Sequence, residues 1–271
     1  MDALIKTDLG NRVMIEENKY GTAEIQNALM EIIIEFHMFC EQNNIKYGLY
    51  GGSCLGAVRH NGFIPWDDDL DIVMDRANYK LLIQKFHLCK TLNMRRTIWI
   101  QRIQKNNTKA INGYVPTLDV FVIDNAPENK FLFKTKVFIL LMLQGMLKET
   151  INYKKFSLKY KVCLFITHII GKFFRKETLR KWYDKISEIG NKDTVKYVHC
   201  TNTSFRCLPR KYKADTWEKM VLHDFEDIKL YIPEKYDQYL KVMYGDYMKL
   251  PKEQNRVPEH AKRVNIKEIK L

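Results

Sequence analysis

Residues 47–74 read YGLYGGSCLGAVRHNGFIPWDDDLDIVM, and this stretch decides both the fold and the chemistry that the chain can support. A short alternating segment enters the turn Gly51-Gly52-Ser53, and a helix is predicted from Ser53 as far as Asn61-Gly62. Four carboxylates then fall within five residues, at Asp67, Asp68, Asp69 and Asp71. A glycine–serine turn followed by closely spaced aspartates outlines a site for a metal ion and a phosphate group.

The segments around this stretch predict an α+β fold. Apolar residues recur every three or four positions over residues 23–41, which predicts an amphipathic helix packed on the core. Alternating or apolar runs predict strands at 45–50, 70–74, 97–103 and 116–124, with a helix at 76–87. This order predicts a small mixed sheet flanked by helices. Later, a strand hairpin or an extended segment is predicted at 224–232, followed by a helix that opens at Pro233 and ends at Gly245.

The aspartates have the chemistry of a metal site. In a strand entered through Asp69, the side chains of Asp69 and Asp71 point to the same face. Two carboxylates held that close repel each other unless a cation lies between them, and hard oxygen ligands select Mg²⁺ or Mn²⁺. Asp119 lies between Leu118 and Val120 on another predicted strand, where an isolated charge needs a partner. We therefore predict that Asp69, Asp71 and Asp119 are both metal ligands and catalytic residues.

Gly51, Gly52 and Ser53 are the predicted phosphate contacts. Glycine lets the backbone approach a ligand closely, and a helix that starts at Ser53 would direct its N–H groups at a phosphate. Arg59 and His60 follow one to two turns later and add positive charge. Taken singly, each of these features is more often a simple turn, a solvated bend or a surface charge. Their order along the chain favours a site.

Residues 130–181 differ from the rest of the chain. They contain 13 Lys or Arg and only two acids, which is nearly the whole net charge of +13. Two apolar runs, at 137–147 and 162–174, are shorter than the roughly 20 residues that span a bilayer. They predict either helices that lie at a membrane surface or a pair of buried helices with solvated lysine faces, and composition does not separate the two. We divide the chain into a catalytic core at 20–128, a basic apolar helical insertion at 129–190 and a C-terminal region at 191–271 that completes the active site.

The basic excess favours an anionic partner. Nucleic acid is not the expected one, since no helix-turn-helix, zinc-finger or RNP pattern is present. The six cysteines are scattered, and the first residues, MDALIKTDLGNR, lack the apolar segment of a signal peptide. Both features predict a reduced, cytoplasmic location.

The chain resembles the LicD family of bacterial phosphorylcholine transferases and is similar to the fukutin-related proteins; both belong to the nucleotidyltransferase superfamily. The resemblance extends over about residues 23–260. It is carried by Gly51-Gly52-Ser53, Leu55-Gly56-Ala57-Val58-Arg59-His60, Phe63-Ile64-Pro65-Trp66-Asp67-Asp68-Asp69-Leu70-Asp71-Ile72, Leu118-Asp119-Val120-Phe121, Phe225-Glu226-Asp227, Pro233, Tyr244-Gly245-Asp246-Tyr247 and the segment 251–260. The 16 residues from Ser53 to Asp69 exceed the usual spacing in other nucleotidyltransferases.

The resemblance implies a nucleotidyltransferase-like core and a specific reaction. CDP-choline would be the donor, and a hydroxyl of a cell-surface glycan, in a lipopolysaccharide, teichoic acid or capsule precursor, the acceptor. Mg²⁺ (or Mn²⁺) at Asp69, Asp71 and Asp119 would assist, and Asp119 would take the acceptor proton. Arg59, His60, Arg256 and His260 would contact phosphate or substrate, although spacing alone fits a basic surface tail equally well for Arg256 and His260. Trp66, with Tyr50 and Tyr247, would be available to an aromatic box for choline, although core packing explains these rings equally well.

The expected acceptor also implies a contact with the membrane. Because lipid-linked glycans are assembled at the cytoplasmic membrane face, the resemblance implies peripheral contact with the inner face of that membrane. Alternative functions are transfer of glycerol-phosphate, ribitol-phosphate or a nucleotide from a related donor. Two other classes, a nucleic-acid-binding module and an inactive scaffold, are disfavoured by the missing motifs and by the intact aspartates.

Overall fold

The computed structural model describes residues 20–111, 113–151, 158–190 and 195–258. The α-helices are α1 (Ala23–Asn43), α2 (Gly51–His60), α3 (Arg76–Lys85), α4 (Lys130–Leu147), α5 (Leu158–Gly171), α6 (Lys176–Ser187) and α7 (Tyr236–Tyr244). The strands are β1 (Gly48–Leu49), β2 (Leu70–Asp75), β3 (Leu92–Thr97), β4 (Ile100–Lys105), β5 (Leu118–Asn125), β6 (Tyr197–Cys200), β7 (Tyr212–Lys213), β8 (Met220–Phe225) and β9 (Ile228–Pro233). Short 3₁₀ turns follow α3, β7 and α7.

The larger sheet is mixed, which confirms the predicted α+β class. Its order is β1-β2-β5-β4-β3, and β6 extends it by pairing with β5 and β7. Strands β2 and β5 are parallel, whereas the other pairs are antiparallel. Strands β4 and β6 share one edge of β5, because they pair with its first and last residues respectively and β2 covers the other edge. Strands β8 and β9 form a separate hairpin.

The register of the sheet aligns charged residues from three strands. Asp71 on β2 lies opposite Asp119 on β5, and Arg102 on β4 lies opposite the same Asp119 on its other side. Side chains at directly opposite positions of adjacent strands point to the same face of a sheet. The three charges therefore form a row across the sheet.

The main apolar core lies between this sheet and the helices α1 and α2. The buried residues of α1 are Ile25, Leu29, Ile32, Ile33, Phe36, Phe39 and Cys40, which agrees with the spacing seen in the sequence. Most residues of strands β2 and β5 are apolar, and both strands are buried along most of their length. Two of the three charges in the row are thus mounted on buried strands of the core.

Three local expectations were wrong. The run 97–103 is not one strand: β3 and β4 meet at a turn at Ile98-Trp99, where Ile98 has φ +50°. Apolar alternation continues across this turn, so the pattern in the sequence hides it. Pro233 ends β9 instead of opening a helix, since its partner across the hairpin is Met220. The helix after the Gly-Gly turn begins at Gly51 and not at Ser53.

Helices α4 and α6 form a second apolar cluster beside the sheet. Lys136 of α4 is 2% exposed and donates hydrogen bonds to the carbonyl oxygens of Asn125, at 3.1 Å, and Ile189, at 3.0 Å. This lysine ties the end of β5 to the end of α6. No helix within the described ranges is long and apolar enough to cross a bilayer. The division of the chain into three regions remains a prediction.

His199 on β6 is fully buried where this cluster meets the sheet. Its Nδ1 lies 3.3 Å from the carbonyl oxygen of Leu208, and the Phe133 ring packs edge-on at 5.1 Å. Burial, and then the nearby Lys136 ammonium, lower the pKa of His199 to about 3. The imidazole is therefore neutral in the folded protein at neutral pH.

Mild acidification is expected to destabilise the fold through His199. In the unfolded chain a histidine has a pKa of about 6.5 and takes up a proton below that pH, whereas the folded protein does not. Between about pH 7.5 and pH 5 this difference should remove about 2 kcal/mol of unfolding free energy. Urea unfolding of the wild type and of His199→Gln at both pH values measures it. Parallel pH slopes in the two proteins would contradict the assignment.

Candidate functional site

The site is centred on carboxylates at the start of β2 and β5. Burial raises the pKa of Asp71 well above its usual value, and Asp69, Asp119 and Asp67 raise it further, in that order. Arg102 opposes them, but only in part. The structure therefore brings together the three aspartates predicted as ligands, with Asp67 as a fourth. Their like charges make the ionised form of Asp71 costly until a cation is added.

Arg102 is a site residue that the sequence reasoning missed. Its Nε lies 2.9 Å from Oδ1 of Asp119, and its Nη2 donates to Oδ2 at 3.1 Å. Such a two-point contact fixes the orientation of a carboxylate more firmly than a single bond does. The sequence did contain a signal for Arg102: like Asp119, it is a charged residue within a predicted strand that is otherwise largely apolar. The misplaced 97–103 strand concealed that the two residues are neighbours.

The loop before β2 is held by α1. The side-chain amide of Gln26 donates to the carbonyl oxygens of Ile64, at 3.1 Å, and Asp67, at 2.8 Å. Asp68 is completely buried and Asp67 is partly exposed, facing Gly52. The cluster is therefore not a solvated bend, since both the backbone of the loop and one of its carboxylates are tied into the fold.

The Gly-Gly-Ser turn acts differently from the prediction. Gly51 opens α2 with φ +54°, a backbone conformation that favours glycine, and its N–H donates to the Tyr239 hydroxyl at 2.7 Å. Ser53 does not cap the helix: its Oγ accepts a hydrogen bond from the Asp71 N–H at 2.8 Å. The turn thus positions β2 and Asp71. Contacts from Gly51, Gly52 and Ser53 to a phosphate remain a prediction.

Gly52 permits the closest approach between α2 and the carboxylates. A Cβ at this position would lie 2.6 Å from Oδ2 of Asp67, closer than real Cβ contacts come. Gly52→Ala is expected to displace Asp67 and to lower turnover by about tenfold or more, because small displacements of catalytic groups are costly. The control is Gly48→Ala, whose Cβ would meet the flexible thioether of Met220 at 2.8 Å, on β8. Equal activities in the two variants would refute this role for Gly52.

A second group of predicted residues gathers beside α2. The guanidinium of Arg256 lies over the Trp66 ring, 5.4 Å from its centroid, and the His60 ring meets Trp66 edge-on at 6.0 Å. Arg59 donates to the Tyr247 carbonyl oxygen at 2.8 Å. Burial, and then Arg59, lower the pKa of His60 to about 4, so this imidazole is neutral at physiological pH. His260 lies outside the described residues.

The aromatic box is not assembled as the sequence suggested. Tyr50 is buried in the core, stacked on Tyr239 at 5.6 Å and packed against Phe121 at 4.8 Å. Arg256 covers one face of Trp66. Tyr50 therefore offers no exposed face to an ammonium group, and core packing is the correct interpretation for this ring. Trp66 lies beside Arg256 and His60, and its contact with a substrate remains a prediction.

Tyr244 connects the two groups. Burial raises the pKa of its hydroxyl, and the negative charges of Asp71, Asp67 and Asp69 contribute. The same residue lies near Arg59, since it opposes the lowering of the Arg59 pKa by burial. Tyr244 belongs to the Tyr244-Gly245-Asp246-Tyr247 motif. This motif supported the family resemblance of the C-terminal region but did not indicate which of its residues lies near the carboxylates. Tyr244 thus brings the C-terminal region next to the carboxylate cluster, and the role of that region in completing the active site remains a prediction.

The donor set fits a hard divalent cation, although no ready-made coordination shell is present. Among the residues that the structure describes, no three His, Cys, Asp or Glu side chains are arranged to hold a metal ion as they stand. Oxygen donors are nevertheless the only kind in the cluster of Asp67, Asp69, Asp71 and Asp119, and their mutual repulsion raises the pKa of Asp71. That unbalanced charge suits Mg²⁺ or Mn²⁺ better than a softer metal.

Comparison with known proteins identifies the domain that carries this site. Residues 44–139 match the family described as LicD/FKTN/FKRP, nucleotidyltransferase domain. Residues 44–139, called the LicD-family domain below, are thus similar to the domain of that family. The resemblance seen in the sequence is therefore confirmed. The LicD-family domain contains Asp69, Asp71, Arg102 and Asp119, whereas Tyr244 lies outside it.

Similarity to one relative extends through nearly the whole chain. The chain is 26% identical, over 271 residues, to the lipopolysaccharide cholinephosphotransferase LicD of Haemophilus influenzae, covering 92% of this chain and 99% of the relative. An uncharacterized protein of Rickettsia typhi is 40% identical over 108 residues, covering 39% of this chain and 31% of its own. One of Rickettsia prowazekii is 31% identical over 109 residues, covering 39% and 36%. The LicD-family domain and the regions outside it thus have a common counterpart in the Haemophilus enzyme.

Proposed function

We propose that this protein is a phosphotransferase that moves phosphocholine from CDP-choline to a hydroxyl of a cell-surface glycan, in a lipopolysaccharide, teichoic acid or capsule precursor. The observation that carries the proposal is the row of Asp71, Asp119 and Arg102 across β2, β5 and β4, inside a LicD-family domain. The activity named for the Haemophilus relative, which aligns with 92% of the chain, supports it. We also assign the core a nucleotidyltransferase-like fold.

Asp69, Asp71 and Asp119 would hold Mg²⁺ (or Mn²⁺). When bound, the cation would neutralise charge on the diphosphate of the donor and on the departing CMP. Arg102 holds both oxygens of Asp119, and Ser53 holds the backbone of Asp71, so two of the ligands are fixed before any cation arrives. Such fixed ligands lower the reorganisation needed during the reaction.

In the proposed reaction the acceptor hydroxyl attacks the choline-bearing phosphorus, and the bond from that phosphorus to the CMP oxygen breaks. The hydroxyl proton passes to Asp119, whose orientation Arg102 sets. Arg59 and Arg256, with Tyr244 between them and the carboxylates, form the cationic side of the site and would bind donor phosphates. His60, neutral at physiological pH, can accept or donate a hydrogen bond there without adding charge.

The acceptor side remains the less defined half of the proposal. We propose a glycan that is lipid-linked, and an enzyme that works at the inner face of the cytoplasmic membrane through peripheral contact. The basic excess in residues 130–181 supports an anionic surface as the partner. Nucleic acid is not proposed as a ligand.

The proposal is tested by CMP release. Purified protein with CDP-choline, Mg²⁺ and a lipopolysaccharide or lipid-linked glycan acceptor should release CMP and label the acceptor, and EDTA should stop both. CDP-glycerol and CDP-ribitol are run in parallel as competing donors. Turnover of CDP-glycerol without turnover of CDP-choline would refute the assigned donor, and CMP release at the level of the Asp71→Asn protein would refute the activity.

A further inference from the structure

Helix α5 is unusual because it is apolar around most of its circumference and yet lies on the surface. Its sequence is LKYKVCLFITHIIG, with lysines only near its start. Phe165 is 55% exposed, and Phe173, just after the helix, is 82% exposed. Val162, Ile166 and Ile169 are exposed beside them. A helix that is apolar on nearly all sides is normally buried or in contact with lipid.

The inner side of α5 is fixed to the protein by close packing. Gly145 of α4 meets Thr167 so closely that a Cβ on the glycine would lie 2.1 Å from the threonine Oγ1. A Cβ on Gly171 would lie 2.2 Å from the carbonyl oxygen of Met146. Nδ1 of His168 is 2.9 Å from the Lys148 carbonyl oxygen. The exposed apolar face is therefore held in a defined orientation, opposite to this contact.

The length of α5 limits how it can meet a membrane. It has 14 residues, which corresponds to about 21 Å, whereas a hydrocarbon core is about 30 Å thick. A helix of this length with one side bound to protein can lie in the plane of the interface, with its outer face among the lipid chains. Contiguous exposed apolar surface of this kind marks an interaction site.

Charge indicates what covers the face. Residues 130–181, which include α5, contain 13 Lys or Arg against Glu149 and Glu177. Lys172 and Arg175, directly after α5, are exposed. A second copy of this surface would bring like charges together, whereas anionic lipid headgroups would bring opposite ones. The complementarity therefore favours an anionic bilayer over a homodimer.

We propose that α5 is an in-plane membrane anchor, with Phe165, Ile166, Ile169 and Phe173 in the boundary between headgroups and lipid chains, and Lys172 and Arg175 at the phosphates. This inference rests on the peripheral membrane contact included in the proposed function and names the surface that makes it. The tests of the anchor measure vesicle binding and not turnover, so the anchor and the proposed activity can each be refuted without the other.

Cys163 on α5 provides a native reporter, because it is exposed whereas Cys40, Cys54 and Cys200 are buried. In a Cys89→Ser, Cys207→Ser background, Cys163 is labelled with an environment-sensitive fluorophore. Vesicles containing phosphatidylglycerol should shift its emission to the blue, and lipids brominated on their chains should quench it. Phosphatidylcholine vesicles and high salt should weaken both effects. No emission change with anionic vesicles at low salt would overturn the proposal.

Substitutions locate the binding surface. Phe165→Gln with Phe173→Gln should weaken sedimentation with anionic vesicles by about tenfold or more, since both rings would leave the lipid. The matched control is Met38→Gln with Leu88→Gln, two exposed apolar residues on α1 and after α3. Circular dichroism checks that both proteins fold.

Two further outcomes would overturn the anchor: unchanged binding by the Phe165→Gln, Phe173→Gln protein, or a dimer that dissociates on these substitutions without any lipid binding. Vesicle binding without turnover of CDP-choline would refute the proposed activity and leave the anchor in place. Turnover of CDP-choline without vesicle binding would refute the anchor and leave the proposed activity in place.

Discussion

Asp71→Asn is expected to lower turnover by about 10³-fold, to the level of the background. Burial raises the pKa of Asp71 well above its usual value, and Asp69, Asp119 and Asp67 raise it further. Asparagine keeps the shape and one oxygen but removes the charge that a cation requires. The backbone N–H that donates to Ser53 is unaffected, so β2 should keep its position.

The same substitution should make the metal-free protein more stable at neutral pH. A raised pKa in the folded state means that folding disfavours the ionised form of Asp71, and this cost is incurred as the pH rises above the unfolded value of about 3.9. Asparagine removes the repulsion. Thermal unfolding is therefore expected to shift upward in EDTA, and Mg²⁺ or Mn²⁺ should stabilise the wild type more than the variant.

Asp75→Asn is the matched control for this experiment. Asp75 lies four residues further along β2, is exposed, and accepts a hydrogen bond from the Asn78 N–H as the N-terminal cap of α3. Asparagine is also a good capping residue, so the fold and turnover should both be preserved. Wild-type turnover in Asp71→Asn would remove Asp71 from the site, and an equal loss in Asp75→Asn would show that the effect is not local.

Asp124 illustrates why the sequence alone could not rank the aspartates. It lies on β5 with Asp119 and is more deeply buried, but Arg76 and the Thr201 hydroxyl contact it and hold its pKa below the usual value despite burial. Both residues are acids within an apolar strand in the sequence. Both acids pair with an arginine, Asp124 with Arg76 and Asp119 with Arg102. However, Asp119 also lies opposite Asp71 and raises the pKa of Asp71. The difference therefore depends on which other carboxylates the fold places nearby.

Local sequence patterns predicted most helices and strands, whereas the contacts between site residues depend on which strands pair in the fold. Alternation placed Asp69 and Asp71 on one face, and the Leu118-Asp119-Val120 strand supplied the third acid. The partner of Asp119 depended on the hairpin turn at Ile98-Trp99, which breaks no apolar pattern. The contact between Ser53 and Asp71 joins residues 18 apart, and no local propensity encodes it.

Residues 130–181 show a second limit of prediction from the sequence. Composition predicted two short apolar helices at 137–147 and 162–174 but left their surroundings open. In the structure α4 contributes most of its apolar side chains to a buried cluster, whereas α5 has most of its apolar residues exposed. The difference arises from tertiary packing, since α4 contacts both α5 and α6. Similar hydropathy in two helices therefore leads to two different surfaces.

Arg102→Gln is expected to lower kcat by about 10–100-fold, because residues that orient a metal ligand typically contribute that much. Arg102 binds both oxygens of Asp119, at 2.9 Å and 3.1 Å, and its charge also lowers the pKa of Asp71. Arg102→Lys separates these two roles, since lysine restores a charge without the planar two-point contact. If orientation dominates, the lysine variant should regain only a minor part of the lost activity. Steady-state kinetics over a range of Mg²⁺ concentrations measures both variants.

Arg96→Gln provides the comparison that makes this result specific. Arg96 lies on β3 of the same hairpin and makes the same kind of two-point contact, to Asp184 at 2.6 Å and 2.8 Å. Its loss should destabilise the protein about as much as the loss of Arg102, yet leave the activity of the folded fraction unchanged, because Asp184 belongs to α6 and not to the carboxylate cluster. Equal kinetic losses in both variants would assign Arg102 a structural role only. A loss confined to Arg102→Gln would add a cation on β4 to the proposed site, because Arg102 holds a carboxylate of the cluster whereas Arg96 holds Asp184 on α6.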